Sequence, residues 1–173
     1  MISVIAGKYK GRKLYDLKDL HVRPTQAKIR KSIFQILEPF AGMEVLDLYA
    51  GAGTLGIEAM SRGANRVVFV EKNRRVFKVL KKNIELFETD QCDLFITDSF
   101  QFLTLSKNQY FDIIFADPPY TEVGFHSIKE KVERKLKSGG IFCMEMKKEP
   151  IDEQNVRIKH YGSTQMVFWR SAA

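Results

Sequence analysis

Cysteine is scarce in this 173-residue chain, with only Cys92 and Cys143. Two cysteines in apolar, strand-like surroundings do not make a disulfide framework; they predict buried, reduced thiols in a cytosolic protein. Histidine is equally sparse, and His21, His126 and His160 show no metal-ligand spacing. No metal site is expected. Long apolar runs are missing too, none approaching the ~20 residues that span a bilayer. The N-terminal MISVIAGKYKGRKL carries charge too early for a signal peptide's apolar core. Neither a membrane nor a secretory route is expected. There is no internal repeat, low-complexity tract or interdomain linker, so residues 1–173 read as one domain able to bury ~70 % of its unfolded surface.

Acids are outnumbered, 21 against 28 Lys and Arg, for a net charge of +7. A basic excess favours a polyanionic partner. Its location is more informative than its size. Lys8, Lys10, Arg12, Lys13, Lys18, Arg23, Lys28, Arg30 and Lys31 crowd into residues 8–31, against Asp16 and Asp19. A second cluster is Lys72, Arg74, Arg75, Lys78, Lys81 and Lys82.

Residues 2–6 and 12–17 flank a Gly7–Gly11 loop and predict a β-hairpin, an extension over residues 1–22 with a basic tip. Lys8, Lys10, Arg12 and Lys13 would grip phosphate there, with Tyr9 as a stacking face. A solvated edge hairpin is the plainer alternative. Pro24 keeps Arg23 out of helical geometry, and Thr25 can cap a helix starting at Gln26. Ile29, Ile33, Phe34 and Leu37 form its inner stripe, with Lys28, Arg30 and Lys31 outside. Arg23, Thr25 and Arg30 join the hairpin cations as candidate RNA contacts.

From Glu44 onward strands and helices alternate. Strands are expected at 45–48, 67–70, 94–96, 111–116 and 141–146, with helices at 54–61, 73–87, 99–105 and 128–136. Residues 156–161 and 165–169, joined by Gly162-Ser163, predict a terminal antiparallel hairpin. Alternation of this kind means a doubly wound, Rossmann-like α/β fold with a mostly parallel sheet and helices on both faces.

The strand FDIIF ends in Asp117-Pro118-Pro119-Tyr120. Two prolines offer no N–H, so the sheet ladder stops there. A carboxylate and an aromatic ring are thereby held at the carboxyl end of a buried strand, the edge where open α/β sheets bind ligands. Asp117 as a mere helix cap is the alternative.

Gly51-Ala52-Gly53-Thr54-Leu55-Gly56 matches G-x-G-x-x-G, and Glu71 stands where a ribose carboxylate belongs. A dinucleotide fits poorly, because Asp47, Asp98 and Asp117 end neighbouring strands and would repel its pyrophosphate. S-adenosylmethionine carries an ammonium and a sulfonium and no phosphate. Asp47 suits that charge. Glu71 suits the ribose hydroxyls, and Asp98 the adenine amine, with Phe100 beside the ring. Tyr49, Lys72 and Ser99 complete the candidate donor-binding set with Gly51, Gly53 and Asp117.

An exocyclic base amine is a poor nucleophile, since its lone pair is delocalised into the ring. The Asp117 carboxylate and the Pro118 carbonyl can accept its two N–H bonds and localise that pair. Tyr120 can stack on the base, a contact worth roughly 1–3 kcal/mol. Asp117, Pro118, Pro119 and Tyr120 are therefore the candidate catalytic residues. They suit guanine, adenine or cytosine alike, provided the base is unpaired or flipped.

Together DLYAGAGTLGIEAMSRGA, SVIAGKYKGRKL, the RPT of residues 23–25 and FADPPY resemble the RsmD family of 16S rRNA guanine-N2 methyltransferases over essentially the whole chain. The resemblance implies a class I, seven-stranded methyltransferase fold and S-adenosylmethionine as donor. It implies as substrate a loop guanine of 16S rRNA (guanine 966 type), in the small ribosomal subunit or an assembly intermediate. A monomer is expected. Tyr161-Gly162-Ser163-Thr164 departs from the family pattern in detail. Two alternatives stand beside this reading. One is an adenine-N6 or cytosine-N4 methyltransferase of DNA or another RNA, against which the lack of a separate target-recognition domain counts. The other is a non-catalytic RNA-binding assembly module.

Overall fold

The computed structural model describes residues 2–17, 26–107, 109–119 and 123–173. In chain order the elements are β1 (Ile2–Ser3), β2 (Lys13–Leu14), α1 (Ala27–Leu37), β3 (Glu44–Leu48), α2 (Thr54–Ser61), β4 (Arg66–Val70) and α3 (Arg74–Ile84). There follow β5 (Cys92–Phe95), α4 (Ser99–Leu105), β6 (Phe111–Ala116), α5 (Phe125–Glu133), β7 (Leu136–Lys147), β8 (Val156–Tyr161) and β9 (Thr164–Arg170).

Seven strands make one sheet in the order β5-β4-β3-β6-β7-β9-β8. The first five are parallel, while β9 runs antiparallel between β7 and β8. The β3 and β6 strands are buried on both faces, which is why their sequences read as apolar runs and not as alternating patterns. One face packs against α1, α2 and α3 through Ile33, Phe34, Ile57 and Leu80. The other packs against α4 and α5 through Phe102, Ile128 and Val132. From β3 the chain winds outward through β4 and β5, then returns to the other side of β3 as β6. That reversal opens a crevice at the carboxyl ends of β3 and β6, where Leu48 and Ala116 are register partners.

The doubly wound sheet, its helices on both faces and the terminal antiparallel hairpin agree with the sequence expectation. Several boundaries differ. The N-terminal hairpin keeps only two ladder residues per strand, pairing Ile2 with Leu14 and Ser3 with Lys13. Its expected strands are cut short because the N–H groups of Ile5 and Ala6 turn to the Glu58 carboxylate, at 2.7 and 3.0 Å. In α3, Asn73 is the cap and not the first helical residue; its side chain accepts from Arg75 N and Val76 N. The last helix ends at Glu133, short of the expected 136. The Ser138–Gly140 stretch lies inside β7, where a register shift opposite Phe111–Ile113 lets it bulge out of the ladder.

Gln26 precedes α1 without capping it through its side chain. The expected cap, Thr25, lies outside the described residues, as do Arg23 and Tyr120. Cys143 is buried, Cys92 half-buried, and both are free. Burial, with Asp93 nearby, pushes the Cys92 thiol up to about 12. No described helix is long and apolar enough to cross a membrane.

Candidate donor and substrate site

Three acids close the three strands on one side of the crevice. Asp47 sits one residue before the end of β3, is 2 % exposed, and its Oδ2 accepts from Gly56 N at 2.8 Å. Its carboxylate thus ties the first turn of α2 to the strand beneath it. Burial pushes this carboxyl well above the usual carboxylate range; the Gly56 N–H opposes the shift, and the charges of Asp117 and Glu71 add to it. Glu71 follows β4. Its Oε2 accepts from Gly51 N at 3.1 Å and its Oε1 from Asn73 N at 2.8 Å. Asp98 follows β5 and caps α4, Oδ1 accepting from Phe100 N and Gln101 N. Asp98 therefore caps through one oxygen, and Oδ2 takes no part in those two bonds. Next to it Ser99 is buried and Phe100 half-buried, with the Lys131 ammonium 5.8 Å from the Phe100 ring centroid. Lys72 is exposed beside Glu71.

Between β3 and α2 the chain turns in very little space. Tyr49 takes a left-handed φ of 57°, unusual for a residue with a Cβ and costing on the order of 1 kcal/mol or more. Gly53 has φ +83°, and a Cβ there would lie 2.6 Å from Leu80 Cδ1 and 3.2 Å from Ile57 Cδ1. Only glycine lets the loop dip this far toward α3. Asn83 of α3, fully buried, holds the loop from behind. Its Nδ2 donates to Ala52 O at 2.9 Å and to Tyr15 O at 3.0 Å, while its Oδ1 accepts from Tyr15 N at 2.8 Å. One amide thereby joins the glycine loop to the chain leaving the N-terminal hairpin.

On the other side of the crevice Asp117 follows β6, half-buried; Pro118 is buried and Pro119 exposed. Because Ala116 is paired with both Leu48 and Met144, the Asp117 end of β6 emerges between the glycine loop and the carboxyl end of β7. The structure thus brings Asp47, Tyr49, Gly51, Gly53, Glu71 and Asp117 to one crevice, with Asp98, Ser99 and Phe100 at the next strand end.

The donor set can be tested against its proposed occupant. Asp47, buried, with the half-buried Glu71 and Asp98 and the loop backbone, suits a cation, while Lys72, Arg74 and Arg75 are exposed just beyond Glu71. A carboxyl whose pKa is raised by burial is one whose ionised form a ligand cation would stabilise. These residues fit S-adenosylmethionine.

The expected RNA contacts are dispersed. Lys8, Lys10, Arg12 and Lys13 are exposed. The hairpin tip is pinned to the last residue of α2, with Lys8 N donating to Ser61 O at 2.7 Å and Tyr9 N to Ser61 Oγ at 3.0 Å. That point is ~12 Å along α2 from the glycine loop. Tyr9 is not an open stacking face: its ring packs on Phe87 with centroids 4.7 Å apart, and Lys8 lies 5.0 Å from it. Arg30 is corrected too. It is 3 % exposed and points under the hairpin, where Nη2 donates to Ser3 O at 2.8 Å. Burial lowers its pKa and the nearby Glu58 charge opposes that. Helical periodicity put Arg30 outside because it cannot see the hairpin that covers that side of α1.

Glu58 and Asn83 were missed. Glu58 is 1 % exposed and, besides Ile5 and Ala6, accepts from Arg62 Nε at 2.9 Å. The available signal was one acid inside the otherwise apolar run Leu55–Met60. Asn83 gave a similar signal, a polar residue on the inner stripe of α3. Ser32 was missed as well: it takes bonds from Lys159 Nζ and Tyr161 Oη, each at 2.6 Å.

A family model described as conserved hypothetical protein 95 matches residues 2–170. Ribosomal RNA small subunit methyltransferase D of Haemophilus influenzae is 38 % identical over 123 residues, covering 69 % of this chain and 64 % of that protein. The Escherichia coli protein of the same name is 33 % identical over 120 residues, covering 69 % of this chain and 60 % of its own. The match therefore spans less than two thirds of either relative. Among solved structures, the Escherichia coli protein yhhF superposes with a TM-score of 0.86 at 28 % identity, covering 99 % of both chains. The fold is that of the class I methyltransferases.

Proposed function

We propose that this chain, a member of the conserved hypothetical protein 95 family, the RsmD family, methylates the exocyclic N2 amine of a loop guanine in 16S rRNA. The substrate would be the small ribosomal subunit or an assembly intermediate, and the donor S-adenosylmethionine. The observation that carries the reading is the pairing of Leu48 with Ala116, which sets the acid-ringed glycine loop beside the Asp117-Pro118-Pro119 end of β6. Names of relatives in the family support the rRNA assignment. The Asp117–Tyr120 stretch itself suits any exocyclic amine, and the choice of guanine rests on family likeness.

When bound, S-adenosylmethionine supplies an electrophilic methyl group on a sulfonium centre. Asp47 offsets the cationic charge of the donor, Glu71 accepts from ribose hydroxyls, and Asp98 accepts from the adenine amine through the oxygen not used in capping. Tyr49, Gly51 and Gly53 bring the backbone close. On the substrate side the Asp117 carboxylate and Pro118 carbonyl accept the two amine N–H bonds and localise the nitrogen lone pair. Pro119 fixes the turn, and Tyr120 stacks on the base. The amine proton leaves to Asp117 or to water. Orientation supplies most of the remaining gain. Lys8, Lys10, Arg12 and Lys13 add phosphate contacts farther from the base, and Arg23 is a further candidate phosphate contact.

Asp117→Ala tests the assignment. Methyl transfer to small subunits lacking the modification should fall about 10²–10⁴-fold, with donor affinity by calorimetry changed by no more than a few-fold. Equal loss of both would remove Asp117 from the chemistry. Mapping the modified nucleotide checks the base.

A further inference from the structure

We propose that the outer ridge of α1 and the adjoining end of the β8–β9 hairpin form a second phosphate-binding surface, which seats the RNA flanking the target base. This deepens the RNA reading above and rests on it. The helix α1 lies between two hairpins. Arg30 turns to the N-terminal one through Ser3 O, and Ser32 turns to the C-terminal one through Lys159 and Tyr161. Its remaining side carries Lys28 and Lys31 at i and i+3, both exposed.

This surface stands at the Asp117 edge of the sheet. The chain leaves α1 for the start of β3, so the first turns of α1 lie toward the carboxyl ends of the parallel strands. In the ladder Lys147 of β7 pairs with Thr164, and Thr164 pairs with Tyr161. The turn of the β8–β9 hairpin and the exposed Lys147 and Lys148 therefore lie beyond Met144, the partner of Ala116.

The chemistry of the surface selects its partner. Lys28, Lys31, Lys147 and Lys148 form no ion pair among the described residues, and neither does Lys159. Glu149 follows in sequence and leaves the sum positive. Lys159 is held in place, because its ammonium donates to Ser32 Oγ beside the Tyr161 hydroxyl; two of its three N–H donors remain for a phosphate. A protein partner would want exposed aromatic or aliphatic anchors at the centre of such a patch. The exposed large apolar side chains of the described chain are Tyr15, Phe95, Ile96, Leu105 and Tyr110, none of them on α1 or β8. A face of unpaired cations without apolar anchors matches a nucleic-acid backbone.

The test is the triple variant Lys28→Gln/Lys31→Gln/Lys147→Gln, assayed with S-adenosylmethionine and small subunits lacking the modification. All three side chains are exposed, so the fold should survive, and the thermal midpoint checks it. KM for the subunit should rise roughly tenfold at physiological salt, and the log–log salt slope should flatten by about 2 for three lost cations on single-stranded RNA. Turnover at saturating subunit and donor affinity should stay within about twofold. Unchanged KM and salt slope, with an active wild type, would overturn this surface and leave the function standing. So would a raised KM with an unaltered slope, since the loss would then not be electrostatic. A wild type that binds the donor but methylates no subunit would overturn both.

Discussion

On the β3–β4–β5 side of the sheet's carboxyl edge the charges that turn into the crevice are acids tied to loop backbone, whereas the β7–β9–β8 side ends in exposed lysines. On the first side Asp47, Glu71 and Asp98 accept from five backbone N–H groups between them: Gly56, Gly51 and Asn73, then Phe100 and Gln101. These acids build the loops they sit in before any ligand arrives. On the second side Lys147 and Lys148 stand exposed, tied into no such network. Asp117 marks the seam. A small cation needs its counter-charges fixed within an ångström or so, and loop backbone does that. A polyanion is met by many weak, long-range contacts, for which mobile lysines suffice. Substitutions on the acidic side should therefore disturb folding and ligand affinity together, and those on the basic side affinity alone.

The largest effect is expected where the acidic side is braced from behind. Asn83→Ala would leave Tyr15 N–H, Tyr15 C=O and Ala52 C=O without their partner. The Ala52 carbonyl is buried and the two Tyr15 groups part-buried; stranded buried groups cost about 1–3 kcal/mol apiece and less where water reaches them, so a loss of about 3 kcal/mol in denaturant unfolding is expected. Donor affinity should fall with it, because Ala52 lies inside the loop. A variant as stable as the wild type with normal donor binding would mean that the loop holds its shape unaided, and the contrast between braced and unbraced sides would lose its main support.

Next comes Asp47→Asn. Its amide oxygen can still accept from Gly56 N, so the loop is kept and the charge is lost. Burial has raised the folded-state pKa of Asp47, so the folded protein holds its proton to higher pH than the unfolded chain, which ionises near 4. The sign follows. Below about pH 4 both forms are protonated and the group is neutral to stability. As pH rises from there toward the raised value, stability is lost, because the unfolded chain ionises first. Asp47→Asn should lack that decline and, without donor, be the more stable protein at neutral pH. Its donor affinity should drop roughly tenfold, the equivalent of about 1.4 kcal/mol. Thermal midpoints across pH, measured for both proteins, check the first half; parallel curves would show that Asp47 is already ionised in the fold.

How much of this was legible beforehand depended on whether the signal was local. Strands buried on both faces gave apolar runs, and Pro118-Pro119 ended β6 where the N–H groups ran out, so the crevice and its acids could be read in order. Asp98 caps α4, a role its residue type announces, whereas Asn73, expected as the first helical residue, is the cap of α3. What could not be read was the third layer. The inner stripe of α1 was evident from Ile29, Ile33, Phe34 and Leu37, but nothing periodic says that one flank meets Ser3 and the other Lys159. Arg30 and Ser32 sit on those flanks. Glu58 and Asn83 showed only as polar residues among apolar neighbours, a signal that something is paired without saying what.

The smallest effect concerns the hairpin, and it separates the two basic regions from each other. The tip is fixed to Ser61, at the end of α2 away from the glycine loop, whereas α1 begins and the β8–β9 hairpin turns at the Asp117 edge. Both regions can attract RNA, but only the second lies where a base held at Asp117 would have its neighbouring phosphates. Lys8 and Arg12 are excluded as probes, since they lie against the Tyr9 and Phe87 rings and their loss would unsettle packing. Lys10→Gln/Lys13→Gln removes charge alone. It should change KM for the subunit by no more than about twofold and flatten the salt slope by less than the ~1 that two full phosphate contacts on single-stranded RNA would give. A KM rise matching that of the α1 and β7 lysines would make the tip an equal partner in seating the substrate. In that case the RNA must run from the carboxyl edge down the length of α2, a path of ~12 Å.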